Sequence, residues 1–155
     1  MEARITALEP ARVAFVRHMG SYAEVGPTWE RLLAWAGRAG LLGPDTRTFA
    51  LCHDDPDTTL AERLRYDACV VVGPDVQGGD GVEVQEVAGG RYAVATHRGS
   101  YAKLAETYGG LIEAWIPANG LEVAEERPCV EIYRNNPQQT PEDELLTDVH
   151  IPIRG

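Results

Sequence analysis

Lysine is almost missing from this chain of 155 residues: it occurs once, at Lys103, and no Lys/Arg cluster stands anywhere. Fourteen basic side chains face twenty-four acidic ones, a net charge of -10. Duplex nucleic acid demands a basic face, so direct nucleic-acid binding by this chain is not expected. A cationic partner or ligand is favoured in sign. No apolar run approaches the ~20 residues of a membrane span. Met1-Glu-Ala-Arg lacks the basic-then-apolar pattern of a secretory signal. Both absences lead to the expectation of a cytoplasmic protein. Cysteine is scarce and odd in number: Cys52, Cys69 and Cys129 form no C-x-x-C pair, and each lies in an apolar, strand-like run. They read as small core hydrophobes. Neither a metal site nor a cofactor is expected.

What the chain does have is a repeat. Ala14-Phe-Val-Arg-His18-Met-Gly20-Ser21-Tyr22-Ala23 returns as Ala93-Val-Ala-Thr-His97-Arg-Gly99-Ser100-Tyr101-Ala102, at a constant spacing of 79 residues. Trp29, Leu32 and Leu33 meet Tyr108, Leu111 and Ile112 at the same spacing. One inserted residue moves the spacing to 80, where Gly40-Leu41 meets Gly120-Leu121. A second moves it to 81, where His53-Asp-Asp-Pro56 meets Arg134-Asn-Asn-Pro137 and Asp67 meets Asp148. The whole chain, 1–155, therefore reads as one domain made of two repeats, 3–75 and 82–154.

Each repeat is a β-β-α-β-β unit. Strands are predicted over Ala3 to Leu8, Arg12 to His18, Thr48 to His53 and Tyr66 to Val72. In the second repeat they are Val82 to Val87, Arg91 to His97, Cys129 to Arg134 and Asp148 to Ile153. The first two strands of each unit, joined by Glu9-Pro10-Ala11 or Ala88-Gly89-Gly90, read as a hairpin. Trp29, Leu32, Leu33 and Ala36 fall at i, i+3, i+4, i+7, one helical face, and Tyr108, Leu111, Ile112 and Trp115 repeat it. Pro27 suits a helix start, Gly40 and Gly120 a left-handed stop, and Ser21 and Ser100 the helix caps. Gly73 to Gly81 is a linker too rich in glycine to be an element. The fold class is α+β: a tandem duplication with antiparallel sheets, two main helices and pseudo-two-fold symmetry.

Positions where the repeats agree mostly serve the fold; positions where they differ are candidates for a site that exists once. The shared His-x-Gly-Ser-Tyr-Ala is thus poor evidence of catalysis, and His18 and His97 read as structural. His53-Asp54-Asp55 lacks further ligands at metal spacing and reads as a turn. The sharpest difference is Phe49-Ala50-Leu51-Cys52-His53 against Val130-Glu131-Ile132-Tyr133-Arg134. Alternation places Glu131, Tyr133 and Cys129 on one face. If that face is a groove between the repeats, a partly desolvated carboxylate sits among rings and attracts cations. The alternative is an ordinary strand with Glu131 in water. At a spacing of 79, Trp115 replaces Ala36; a gap before Trp35 would pair it with Trp35 instead. Trp115 then either fills core or walls a pocket.

The chain resembles the GyrI-like family, which includes effector-binding domains of multidrug-responsive regulators. The resemblance is carried by Val13-Ala-Phe-Val-Arg-His-x-Gly-Ser-Tyr, His53-Asp-Asp-Pro56, Leu64-Arg-Tyr-Asp-Ala-Cys-Val70, Gly89-Gly-Arg-Tyr-Ala-Val94, Trp115-Ile-Pro, Glu131-x-Tyr133-x-Asn-x-Pro137 and Thr147-Asp-Val-His-Ile-Pro152. It implies paired modules and a groove for bulky aromatic, often cationic molecules, with an acid in the position of Glu131. It also implies a branch that protects DNA gyrase from toxins. A further branch opens strained cyclopropane rings of DNA-alkylating compounds hydrolytically. The chain begins inside the first repeat, without a helix-turn-helix segment, and so is expected to stand alone. The leading expectation is a non-enzymatic binder of aromatic, cationic or amphipathic ligands, with Glu131 supplying charge and Tyr133, Trp115 and Tyr108 the walls. The alternatives are a hydrolase with Glu131 as its catalytic acid or base, and a protein-interaction module such as a gyrase inhibitor.

Overall fold

A computed structural model describes residues 1–155. The strands are β1 (Arg4–Leu8), β2 (Ala11–Met19), β3 (Thr48–Cys52), β4 (Arg65–Val71), β5 (Glu83–Val87), β6 (Gly90–Arg98), β7 (Cys129–Tyr133) and β8 (Leu146–Pro152). All eight fall where period-2 alternation and turn residues place them. The class is α+β, with antiparallel pairing throughout.

Two compact units result, Glu9–Gly89 and Met1–Leu8 with Gly90–Gly155. Within the first, strands run in the order β3-β4-β2-β5; within the second, β7-β8-β6-β1. The expected hairpins β1–β2 and β5–β6 do not form. β1 pairs with β6 instead, and β5 pairs with β2. Turn chemistry explains the difference. A two-residue hairpin loop needs positive φ, which the Pro10 ring forbids and which neither Glu9 nor Ala88 adopts. The chain therefore runs on, and each unit receives a strand from the other repeat. Tight-turn chemistry lies instead in the linker, where Asp80 (φ 54) and Gly81 (φ 85) close a turn. Gly79 and Val82 exchange backbone hydrogen bonds of 2.9 and 3.0 Å across it.

In the first unit, α1 (Gly26–Arg38) opens at Pro27 and buries Leu32, Trp35 and Ala36. In the second, α2 (Leu104–Gly109) runs into a π-helical stretch, Gly110–Trp115, and a last turn, Ile116–Ala118. That stretch absorbs the inserted residue. Leu32 and Ala36 are fully buried one turn apart, and Leu111 and Ile116 are equally buried with one more residue between them. A wider turn lets both face inward despite the insertion. The endings match again: Leu41 N–H donates to the Ala36 carbonyl at 2.9 Å, and Leu121 N–H to that of Ile116 at 3.0 Å. Ile116 is thus the counterpart of Ala36, and Trp115 that of Trp35, so Trp115 is not an exchange for a methyl group. Its half-buried ring packs on the core cluster of Ala93, Ala95, Leu111, Ile116, Val149, Ile151 and Ile153.

Ser21 and Ser100 cap, but not the main helices. Their hydroxyls accept from Ala23 N–H (3.2 Å) and Ala102 N–H (3.1 Å), at the heads of short 3-10 turns. His18 and His97 each hydrogen-bond the carbonyl of that serine at 2.9 Å. A carbonyl only accepts, so Nε2 carries the proton in both. The shared motif holds the turn between strand and helix in each repeat.

Candidate functional site

The second unit's sheet presents Ala95 and His97 of β6, Thr147 and Val149 of β8, and Glu131 and Tyr133 of β7 on the face that carries α2. Register fixes this: Glu131 lies opposite Val149, and Tyr133 opposite Thr147. Thr147 in turn lies opposite His97, and Val149 opposite Ala95. The expected sharing of one face by Glu131 and Tyr133 holds, and the exposed-strand alternative does not, because Glu131 is only 6% exposed.

Its carboxylate is held by phenols. Tyr108, from α2, donates to Oε2 at 2.5 Å. Tyr133, two residues along the strand, donates to Oε1 at 2.6 Å. A third ring, Tyr101, packs on Tyr133 with centroids 5.6 Å apart and planes at 60°. Burial pushes the Tyr101 phenol above its ordinary value, and the charge of Glu131 pushes it further. Three tyrosines therefore surround one buried acid. Of the residues expected at the site, Tyr108 and Tyr133 hydrogen-bond Glu131, while Trp115 packs on the core cluster, as Tyr108 also does.

Tyr101 was not legible as a site residue. It stands in the motif both repeats share, and its counterpart Tyr22 packs on Tyr66 at 5.8 Å and 53°. The two units thus build related clusters from different strands. In the first, the aromatic of the cross-strand pair is Tyr66 on β4, opposite Cys52. In the second it is Tyr133 on β7, opposite Thr147. Trp29, in the place of Tyr108, donates its indole N–H to the Tyr66 hydroxyl at 2.9 Å. Ala50 stands where Glu131 would be, so only the second unit carries an acid in its cluster.

A second polar centre occupies the opposite face of the first unit, and sequence reasoning missed it. Asp67 is fully buried. It receives Arg17 Nε at 2.7 Å and Nη2 at 2.9 Å, His53 Nε2 at 2.8 Å and Gln85 Nε2 at 3.2 Å. Burial alone would raise its pKa; the bonds from His53, Arg17 and Gln85 outweigh that and hold it at about 2. Asp148 repeats the centre more loosely, accepting from Thr96 at 2.6 Å with Arg134 at 3.9 Å. A carboxylate with about four acceptor positions is saturated by four donors, so Asp67 is a structural anchor. His53, one residue past the end of β3, joins this centre, while Asp54 and Asp55 form the expected turn: Asp54 accepts from Arg65 N–H at 2.9 Å, and Asp55 from Asp57 N–H at 2.8 Å.

Comparison with known proteins identifies the family and the fold. Residues 1–154 match the model of the GyrI-like small-molecule binding domain. The chain is 34% identical over 143 residues to the probable transcriptional regulator YgiV of Escherichia coli (strain K12), covering 91% of this chain and 89% of that one. It is 30% identical over 159 residues to a DNA gyrase inhibitor of Edwardsiella piscicida, covering 99% of each. Among solved structures, the EcmrR C-terminal domain superposes with a TM-score of 0.78 at 17% identity, covering 99% of this chain and 97% of that one. SAV2435 bound to tetraphenylphosphonium superposes at 0.66 and 16% identity, covering 100% and 95%. At such identities the structural likeness concerns the fold. No helix is long and apolar enough to cross a membrane. By its sequence and its fold alike, the chain belongs to the GyrI-like small-molecule binding domain family.

Proposed function

We propose that this domain binds aromatic cations without transforming them, with Glu131 supplying the charge and Tyr108, Tyr133 and Tyr101 the surrounding rings. The observation that carries the reading is the buried carboxylate wrapped by phenols. Burying an acid is costly unless it is compensated, and the first unit, with Ala50 in that place, forgoes the expense. A lipophilic cation suits such a centre twice over. Its charge is attracted by the carboxylate, and its rings face tyrosine π-systems, each worth about 0.5–2 kcal/mol to a cation. The tetraphenylphosphonium held by a structural neighbour is a ligand of this chemistry.

The test is a titration with tetraphenylphosphonium and with a planar acridinium, followed by tryptophan fluorescence with the ligand recovered for mass spectrometry. Glu131→Gln keeps shape and removes charge, and should weaken binding by roughly tenfold or more, since tenfold corresponds to about 1.4 kcal/mol. Equal affinity in the variant sinks the reading. Ligand recovered with one water added, turning over catalytically, would assign the hydrolytic role to the same carboxylate.

A further inference from the structure

Thr147 is fully buried, and its Oγ1 has no hydrogen-bond partner. A buried hydroxyl left unsatisfied is destabilising, so its retention asks for a reason. Its neighbours on the same face explain why nothing local satisfies it. His97 commits Nε2 to the Ser100 carbonyl and Nδ1 to Thr107 Oγ1. The Tyr133 hydroxyl, directly opposite, is turned to Glu131. In the first unit the same position is Tyr66, whose hydroxyl receives the Trp29 indole at 2.9 Å. The second unit therefore exchanges a satisfied phenol for an unsatisfied hydroxyl, beside the one buried acid of its cluster. Thr147 lies directly across from Tyr133 and diagonally from Glu131, a separation of about 7–8 Å. A ligand cation that enters between the Tyr133 phenol and the carboxylate would bring its edge toward the buried Oγ1.

Building on the assignment of Glu131 as the charge partner, we infer that Thr147 Oγ1 accepts a hydrogen bond from the ligand, and that the ligands preferred are cations bearing an N–H. Protonated heterocycles and amines meet that description; fully substituted onium ions do not. The group nearest an acid is the cationic end of the ligand, so what it offers the hydroxyl is a donor. A hydroxyl with two lone pairs accepts it, and the charge on the donor strengthens the bond. Glu131 then sets affinity for any cation, and Thr147 discriminates among them.

Two dyes separate these roles: acridine orange, protonated on its ring nitrogen at neutral pH, and its N10-methyl salt, in which that N–H is a methyl group. The wild-type protein should bind the N–H cation more tightly. Thr147→Val, which keeps the shape, should weaken acridine orange about five- to tenfold and change the methyl salt by less than twofold. Thr147→Ser should keep the preference. The melting temperature of free Thr147→Val should be unchanged or raised, because an unsatisfied group has been removed, and this shows that the variant folds. A preference undiminished in Thr147→Val, or an equal loss for both dyes, overturns the inference. Glu131→Gln should weaken both dyes together. If it weakens neither while Thr147→Val still erases the preference, the charge reading fails and the assignment of Thr147 stands.

Discussion

Tyr133 donates a hydrogen bond of 2.6 Å to Glu131, the residue two places before it on the same strand. The equivalent pair in the other repeat, Cys52 and Ala50, has neither the phenol nor the carboxylate. A duplicated scaffold thus became asymmetric through few exchanges. Ala50 corresponds to Glu131, Cys52 to Tyr133, Tyr66 to Thr147, and Trp29 to Tyr108. Together they convert an uncharged Tyr-Trp cluster into a carboxylate held by phenols.

Tyr133→Phe removes one donor from a buried carboxylate, and bonds to charged groups contribute about 1.5–3 kcal/mol. We expect a loss of stability of about 1–2 kcal/mol, read as a lower urea midpoint with an unchanged slope. In a Glu131→Ala background the same substitution should cost almost nothing, since the donor has lost its acceptor; a double-mutant cycle measures the difference.

Asp67 gives the fold a defined acid sensitivity. Its pKa is lowered from the ordinary 3.8 to about 2 by His53, Arg17 and Gln85 against the cost of burial. A depressed carboxyl adds stability that is complete above the unfolded value and is lost as pH falls through the folded one. The shift corresponds to about 2 kcal/mol. Wild-type protein should therefore lose that much between about pH 4 and pH 2. Asp67→Asn should be at least that much less stable at pH 7, with the gap narrowing across the same interval. A gap independent of pH would contradict the assignment.

Gly90 and Arg127 form a steric pair. Gly90 adopts φ 153, and a Cβ there would run into the Arg127 guanidinium. That guanidinium donates to the Arg91 carbonyl at 3.2 Å and the Ile153 carbonyl at 2.9 Å, and stacks 5.0 Å from the centre of the Tyr92 ring. Gly90→Ala should cost about 1–3 kcal/mol, because φ 153 strains any L side chain and the Cβ also displaces the guanidinium, no less than Arg127→Ala. Thermal unfolding of both variants checks the order.

Most of the fold was legible because its signals are local: strand alternation, the Pro27 start, the glycine stops at φ 72 and 69, and the repeat itself. The partner of β1 was not. Short connections favour hairpins in general, and only the missing positive-φ chemistry of Glu9-Pro10 argues against one here. Comparison of repeats found Glu131 and Tyr133, whose identities differ, and passed over Tyr101, which both repeats share. It passed over the Asp67 centre for the same reason, since Asp148 matches Asp67 and only the donors around them change. On paper Trp115 pairs with either Ala36 or Trp35, because an inserted residue can sit anywhere in a helix. In three dimensions the π-helical turn accommodates it.

The most direct measurement is a calorimetric titration of wild type and Glu131→Gln with tetraphenylphosphonium at two salt concentrations. Saturable binding by wild type, weakened at least tenfold in the variant and with much of its salt dependence gone, is the expected result. Equal affinities for the two proteins would contradict the central claim that the Glu131 carboxylate is the cation partner.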